Sequence, residues 1–439
     1  MRPSNRGLTA RLWTGVALAV IPVLLVALEP VTSRAAEFSL SSRTYFLYYR
    51  QDVTGGAKQT LAPAYEYLSG DAQNLGGVPL SFHFYGWGRL DLADDTGTGN
   101  RSGDIGSAYV QYLHPTGNAE VRLGRFFLTE GAAMDTIDGL FVKARTPLGI
   151  GLSAFGGTPV EMSIVSAPTE KGDSIYGGRI FYIYPGVIEI GASYLQEKGT
   201  FQGDDRKEIG GDLWLRPVAP IELIGRATYN DATGGMAFQR YMARITPVAP
   251  LSLSGGYEAY RYEDYFQTAL NPVFLPPTVS GTDNVRIIFG VIDWEIVKSV
   301  VLTAGYRNIK HDLKDPGTAD RVEGGLRYSY NDRKDAAGVS AAVVTGDLAE
   351  NEYQEYRAFV TYSPGRFRFS VDGLTHRYKE PINGKKTEYQ AVASAGVRLV
   401  SALKVSGDLR YTQSPTFKED YAGLLRIALD LGTGAGGSK

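Results

Sequence analysis

The sequence predicts an all-β protein, a transmembrane antiparallel up-and-down β-barrel of about 22 strands within a range of roughly 18 to 22. Three observations support this fold class. Apolar and polar residues alternate with a period of two along most of the chain, and almost no segment shows the period of an amphipathic helix. Tight Pro/Gly turns alternate with longer polar connections. After residue 35, no apolar run is long enough for a transmembrane helix.

The N-terminus has the three parts of a secretory signal peptide. Basic residues precede an uncharged apolar stretch at 12–28, and Ser33-Arg34-Ala35 supplies small residues for cleavage. A membrane-anchoring helix is the alternative, but Pro22 interrupts the stretch and the cleavage site favours removal. We therefore expect a signal peptide at residues 1–35, a barrel at residues 36–431 and a flexible tail at residues 432–439.

Composition excludes several classes of protein. Removing the signal peptide takes away four arginines and one glutamate, which changes the formal net charge from −2 to −5. A mildly acidic exported chain is not an electrostatic nucleic-acid binder. The chain has no cysteine, which excludes disulfides, thiolate metal sites and covalently attached c-type haem. We expect no cofactor in this chain and no metal site.

The stretch SFHFYGWGRLDLADD, from Ser81 to Asp95, shows the two faces most clearly. One face has Phe82, Phe84, Leu90 and Leu92, and the other has His83, Tyr85, Trp87, Arg89 and Asp91. In a barrel, the first set contacts lipid and the second faces a wet lumen. Burying unpaired charges in a dry core would cost several kcal/mol each, so we expect Arg89 and Asp91 to face water.

The remaining strands follow in order along the chain. The N-terminal strands are expected at 38–51, 64–71 and 78–93, hairpins at 104–128, 138–156, 173–197, 206–230, 236–263, 284–311, 320–346, 350–379 and 386–414, and a last strand at 421–431. Residues 284–297 are largely apolar on both faces, so alternation does not assign their sides. The longer connections are expected at 94–104, 129–138, 156–172, 263–283, 347–352 and 380–386. Short turns on one rim and long loops on the other are typical of outer-membrane barrels.

The run VRLGRFFLTEGAAMDTIDGLFVKARTPLGIGLSAFGG, from Val121 to Gly157, resembles the strand, Leu-Gly-Arg, loop, Asp-Gly, strand arrangement of Gram-negative outer-membrane porins. This resemblance implies a barrel in the cell outer membrane, surrounded by lipid, that lets small hydrophilic solutes or ions diffuse through. The Tyr-rich strands and YLHPTGNAEVRLGRF are also similar to barrel components of porin–cytochrome electron conduits. That second resemblance implies a sheath around a multihaem cytochrome, with every haem in the partner. Unlike most porins, the chain ends on GTGAGGSK and not on an aromatic residue.

The polar faces of the predicted strands carry charges of both signs. The predicted pore-lining residues are Arg89, Asp91, Glu222, Arg226, Arg321, Glu323, Arg327, Arg368, Asp372, Arg398, Asp408 and Arg410. Such a set is either a solvated, mutually neutralising wall or a ladder that selects ions. Because the two signs occur in similar numbers, we expect weak ion selectivity.

Two connections could narrow the lumen. The loop at 263–283 is unusually apolar, and Phe266, Leu270, Phe274 and Leu275 would not all lie bare in water. The loop could fold inward as a constriction, lie along the rim or bind a partner, and the sequence leaves these three open. The segment Thr129 to Asp138 is a second constriction candidate. The loop Asp94 to Asp104 is acidic but lacks the ordered spacing of a calcium loop.

Enzymatic activity is not expected. The four histidines lack metal-ligand spacing, and no phosphate-binding loop or nucleophile elbow is present. His376 and Asp372 share one face of a predicted strand, but four residues of strand separate them by about 13 Å, too far for a hydrogen bond.

Overall fold

The computed structural model describes residues 37–53, 58–93, 101–160, 174–198, 205–266, 283–313, 317–415 and 417–433. The predicted signal peptide therefore lies outside the described residues, as does most of the predicted tail.

The described chain is almost entirely β-strand. The strands are β1 (Glu37–Val53), β2 (Lys58–Leu61), β3 (Pro63–Gln73), β4 (Leu80–Asp91), β5 (Arg101–Leu113), β6 (Ala119–Glu130), β7 (Ala133–Arg145), β8 (Ile150–Val160), β9 (Ser174–Tyr184), β10 (Ile188–Lys198), β11 (Arg206–Val218), β12 (Ile221–Asn230), β13 (Gly235–Val248), β14 (Leu251–Arg261), β15 (Asn284–Val297), β16 (Val300–His311), β17 (Thr318–Tyr330), β18 (Asp335–Gly346), β19 (Tyr353–Tyr362), β20 (Phe367–Ile382), β21 (Lys385–Val400), β22 (Leu403–Gln413) and β23 (Phe417–Gly432).

Helical structure is minor among these residues. The helical segments are the 3₁₀ turns Leu75–Gly77 and Ala349–Asn351 and a short α-helix, α1 (Tyr262–Phe266). No helix in the described ranges is long and apolar enough to cross a membrane.

From β3 onward each strand pairs antiparallel with the next, and β1 pairs with β23 from Ser39↔Gly432 to Val53↔Phe417, which closes the sheet. Segments β2 and β3 both pair with β1, so together they fill one position of the wall, interrupted at Ala62. The wall thus has 22 strand positions, which confirms the predicted fold and strand number. Closure pairs β1 with the last strand, so the sheet has no free first or last edge and its backbone groups are satisfied as lipid requires.

The two faces separate by chemistry, as the alternation predicts. Large apolar side chains are exposed on the outer face, for example Leu123 at 62%, Leu152 at 61% and Leu409 at 70%. In a barrel, this is the face that contacts hydrocarbon. Residues 284–297, unassigned from sequence, form β15, with Ile288 and Ile292 on the outer face and Val285 buried on the inner face.

Two predicted long connections are tight turns instead. The segment predicted as a loop at 380–386 is the end of β20, Asn383-Gly384 and the start of β21. Both turn residues have positive φ, 47° and 78°, which is the geometry that an Asn-Gly hairpin turn favours. The segment at 129–138 likewise forms strands around the two-residue turn Gly131-Ala132. Strand pairing therefore continues further at the loop-rich rim than the polar composition suggested.

Candidate functional site in the barrel interior

The inner face is identified by contacts between strands that are not neighbours. Asp135 of β7 lies 2.8 Å from Nη1 of Arg206 of β11. Arg226 of β12 donates to the carbonyl of Gly131, in the β6–β7 turn, at 2.9 Å. Contacts that skip three or four strands can form only through the interior. Because directly opposite residues on paired strands share a face, the ladders then assign an inner face to every strand.

The hairpin of β6 and β7 leaves the wall and folds into the interior. Strand β5 pairs with β6 only from Ala108↔Arg125 to Leu113↔Glu120. Beyond Arg125, β6 pairs only with β7, up to Glu130↔Ala133. The upper part of this hairpin, residues 126–137, is called the inner hairpin below.

The tip of the inner hairpin lies against β10, β11 and β12. The backbone N–H of Ala132 donates to Ser193 Oγ at 2.9 Å. A Cβ built on Gly210 would lie 3.1 Å from the Cβ of Ala132. The tip therefore crosses the inner surface of several wall strands.

Apolar packing holds the inner hairpin to the wall. Its residues Phe126, Leu128, Ala132, Ala133 and Ile137 form one buried cluster with the wall residues Phe141, Phe155, Ile175 and Leu195. Truncating one buried Leu or Ile to Ala in such a cluster costs about 2–5 kcal/mol. This cluster is an apolar interface inside the barrel, which the sequence did not predict even though it marked residues 129–138 as a constriction candidate.

Buried ion pairs fix the inner hairpin at two points. Arg206 contacts Asp135 at 2.8 Å, Glu208 at 3.0 Å and Glu197 at 3.3 Å, and all four side chains are at most 6% exposed. Glu130 lies 3.5 Å from the buried Arg179 of β9 and 3.0 Å from the partly exposed Lys143. A buried cation that compensates several acids is costly to remove, because the acids are left without a counter-charge.

The bend where the hairpin leaves the wall carries a bidentate ion pair. Both Nε and Nη2 of Arg125 bond to Asp138 at 2.7 Å. Arg125 Nη1 also donates to the carbonyl of Ile105 in β5 at 3.0 Å. Arg125 therefore ties β5 to the bend where the β5–β6 ladder ends.

The opposite face of the inner hairpin is open to the interior. Phe127 is 50% exposed and Met134 is 47% exposed. Nη1 of Arg226 lies 3.5 Å from the sulfur of Met134. Most of the segment singled out from sequence as a second constriction candidate, Thr129 to Asp138, thus lies inside the barrel.

The ladders place all twelve predicted pore-lining residues on the inner face. Their role in permeation stays a prediction. Most have partners of opposite charge or polar partners: Arg321 with Glu323 and Glu355, both at 2.8 Å; Asp372 with Arg357 at 2.8 Å; Asp408 with Arg426 at 3.1 Å; Arg410 with Asp420 at 3.1 Å; and Glu222 with the indole N–H of Trp214 at 2.7 Å. The wall is mixed in charge and largely self-neutralising.

Arg89 and Asp91 differ from the expectation that water surrounds them. They form an ion pair at 3.2 Å, and their side chains are 9% and 3% exposed. Trp87, two residues before Arg89 on the same face, is also buried. The ion pair offsets part of the cost of removing Arg89 and Asp91 from water. The sequence-based expectation had considered each charge as unpaired.

The apolar loop predicted at 263–283 lies mostly outside the described residues. Phe266 is the last residue of α1, and its side chain is not described; Leu270, Phe274 and Leu275 lie outside the described residues. In the described part, Asp264 is buried and bonds to Arg261.

His376 and Asp372 are not a pair, in agreement with their spacing. Nε2 of His376 lies 3.1 Å from Glu355, and Nδ1 lies 3.4 Å from Glu388. Asp372 bonds to Arg357. The partners of His376 come from the strands on either side of β20, so only the register could reveal them.

A second histidine has partners that sequence reasoning missed. His83 Nε2 lies 2.8 Å from Ser81 Oγ, and His83 Nδ1 lies 2.6 Å from Asp71. This is the connectivity of a Ser–His–Asp triad, but acyl transfer also needs donors for an oxyanion. The other contact of Ser81 Oγ is the carbonyl of Gln111 at 3.4 Å, an acceptor. The bonds orient the His83 ring, which stacks on Tyr109 at 4.8 Å.

Within the described ranges, no group of three or more His, Asp or Glu side chains is arranged to hold a metal ion.

Comparisons with known proteins identify the fold. No family model matches the chain, and no curated protein matches its sequence. Among solved structures, the siderophore receptor PirA from Pseudomonas aeruginosa is similar at TM-score 0.58 and 12% identity, over 91% of this chain and 81% of PirA. OccK2 (OpdF) from the same organism gives TM-score 0.45 and 13% identity, over 91% of this chain and 98% of OccK2. At such identities the likeness concerns the fold alone, and the PirA comparison supports it.

The closed ladder, the apolar outer face and the charged inner face define the class of protein: an integral β-barrel of the cell outer membrane.

Proposed function

We propose that this barrel is a channel through which small hydrophilic solutes or ions diffuse passively across the outer membrane. The observation that carries the proposal is the inner hairpin, which packs on the inner face of a wall lined by charged side chains and would narrow the lumen there. Exposed Phe127 and Met134 face that lumen, and Arg226 lies beside the tip. Sieving of this kind needs no chemical step, only a water-lined path of limited width.

The strand number makes a narrowing element necessary. Barrels of about 16–18 strands leave an aqueous channel, whereas 22-stranded outer-membrane transporters have a plugged lumen. In the described ranges, the inner hairpin packs on the inner face of β8 to β12, and the short helix α1 packs on the inner face of β13 and β14. A wide wall with a partial obstruction fits a diffusion channel better than a sealed transporter.

Weak ion selectivity follows from the paired wall charges. Purified protein in a planar bilayer should give stable conductance steps, and the reversal potential in a salt gradient should lie near zero, because cations and anions meet similar numbers of opposite charges. A reversal potential close to the value of a pore that passes only cations, or only anions, would contradict a pathway lined by charges of both signs. Complete absence of conductance steps would contradict the channel itself.

A barrel sheath around a multihaem cytochrome is the second candidate, and the width of a 22-strand lumen is the observation that favours it. The comparisons give it no support. Native outer membranes distinguish the two candidates. Haem absorbance that co-purifies with the barrel, together with a barrel that is silent in bilayers, would favour the sheath; conductance without haem favours the channel.

A further inference from the structure

A run of tyrosine rings covers the inner face on β1, β3 and β4. The ring centres of Tyr65 and Tyr67 lie 6.2 Å apart with planes 15° apart, and those of Tyr67 and Tyr85 lie 6.3 Å apart with planes 17° apart. Tyr45 meets Tyr67 edge-on at 5.5 Å. These four residues are called the tyrosine track.

Further rings continue the track toward the inner hairpin. His83, two residues from Tyr85 on the same face, stacks on Tyr109 of β5 at 4.8 Å. Tyr109 then contacts Phe126, at the base of the inner hairpin, at 5.8 Å. The aromatic surface thus extends over neighbouring strands to the base of the inner hairpin.

The track is accessible from the interior. Tyr45, Tyr65, Tyr67 and Tyr85 are all partly exposed. Their position on the inner face separates them from the outer-face tyrosines, such as Tyr389, which are in place to contact lipid headgroups. A partly exposed aromatic row inside the lumen has no membrane-anchoring role.

The charges beside the track are paired. Arg426 lies over the ring of Tyr45 at 5.6 Å and bonds to Asp408 at 3.1 Å. On the far side, Arg122 bonds to Glu120. Asp71 bonds to His83. The track therefore places partly exposed aromatic rings next to hydrogen-bonding groups, without an excess of either charge.

From this combination we infer that the tyrosine track binds neutral sugars, in particular linear oligosaccharides, as they pass through the channel. A pyranose ring presents a flat C–H face that packs on an aromatic ring, and its hydroxyls bond to paired acids and guanidinium groups. An anionic ligand would need unpaired cations, and an aliphatic ligand would have no use for the hydrogen-bonding groups. The inference rests on the proposed channel function.

The test uses linear glucose hexamers, α-1,4 or β-1,4 linked. Added to single channels in a bilayer, either hexamer should interrupt the ion current in a concentration-dependent manner. Isothermal titration calorimetry of the detergent-solubilised barrel with either hexamer measures the affinity for the sugar independently of conductance. Tyr67→Ala and Tyr85→Ala should each weaken binding about tenfold, as removal of one stacking ring does elsewhere. Tyr67→Phe keeps the ring and should bind within about threefold of the parent.

Tyr389→Ala, on the outer face, is the matched control and should leave both binding and conductance unchanged. A barrel that conducts ions but does not bind sugar would contradict this inference and support the proposed channel. A barrel that binds sugar but does not conduct would contradict the proposed channel and support this inference. Binding that persists undiminished in Tyr67→Ala and Tyr85→Ala, or tighter binding of an oligogalacturonate than of either hexamer, would also overturn it. Heat-dependent mobility in gels verifies that each variant is folded.

Discussion

Gly131 occupies the position where the inner hairpin has the least room. Its φ is +60°, and a Cβ built on it would lie 2.2 Å from the Cβ of Ser193. Gly117, in a turn at the opposite end of the wall, has a similar φ of +69°, but no atom lies within 4 Å of its Cβ position. The two glycines share a backbone conformation and differ only in crowding.

Alanine at each glycine should separate these two effects. Gly117→Ala should cost only left-handed backbone strain, about 1 kcal/mol. Gly131→Ala adds a collision with the wall, which should cost about 1–3 kcal/mol more and loosen the hairpin tip. Urea titration in lipid vesicles measures the free energy of unfolding, and hydrogen exchange over residues 126–137 reports the tip. Equal losses in the two variants would show that the tip does not pack against Ser193.

For individual residues, the sequence predicted the face on which a polar side chain lies but not the side chains that it contacts. Parity put His83 on the polar face, and nothing in the sequence joined it to Asp71, which lies twelve residues earlier on β3. Pairing of Arg89 with Asp91 was equally hidden, because two charges on one face are read as solvated until their burial is known. The strand register brings Asp71 opposite His83, and the burial of Arg89 and Asp91 shows that these two charges are paired and not solvated.

The inner hairpin is the element on which the proposed function depends. Phe126 and Ile137 face each other in its ladder, and beyond them the chain pairs with the wall only at Thr136↔Val160. The segment 127–136 can therefore be removed with almost no loss of wall pairing.

Replacing residues 127–136 by Asn-Gly should leave a closed barrel with a wider pore. Single-channel conductance should rise at least about twofold, because the narrowest part of the water path sets the resistance. Replacing residues 380–386 by Asn-Gly shortens another hairpin at the same rim and is the control; it should leave conductance unchanged. If both variants conduct like the parent, the inner hairpin is not the constriction.

The sequence predicted that a constriction candidate lies at residues 129–138, but not that this segment forms a hairpin inside the barrel. The polar composition of 129–138 indicated a loop, and the constriction was only one possibility for it. Its inward position depends on Phe126, Leu128 and Ile137 packing on residues of β8, β9 and β10. Such contacts between distant strands leave no trace in local periodicity, whereas each wall strand carries its own alternating pattern. This explains why the strand number was predictable and the interior was not.

The whole molecule depends on hydrocarbon contacting one face and water the other. Strand β22 gives the sharpest comparison. Leu409 points outward and is 70% exposed, and Ser406, three residues away, points inward opposite Arg426. The two positions lie at similar depth but in different solvents.

Arginine at each position tests this arrangement. Leu409→Arg puts a charge into the hydrocarbon band and should destabilise the barrel by about 2–4 kcal/mol if the site is near the midplane, and less toward an interface. Ser406→Arg adds a charge to a wet wall and should change stability by less than about 1 kcal/mol, with a shift of the reversal potential toward anion preference. Urea titration in lipid vesicles measures the first effect and bilayer recording the second. A larger loss for Ser406→Arg than for Leu409→Arg would mean that the two faces have been assigned the wrong way round, because the polar face would then be the one that is removed from water.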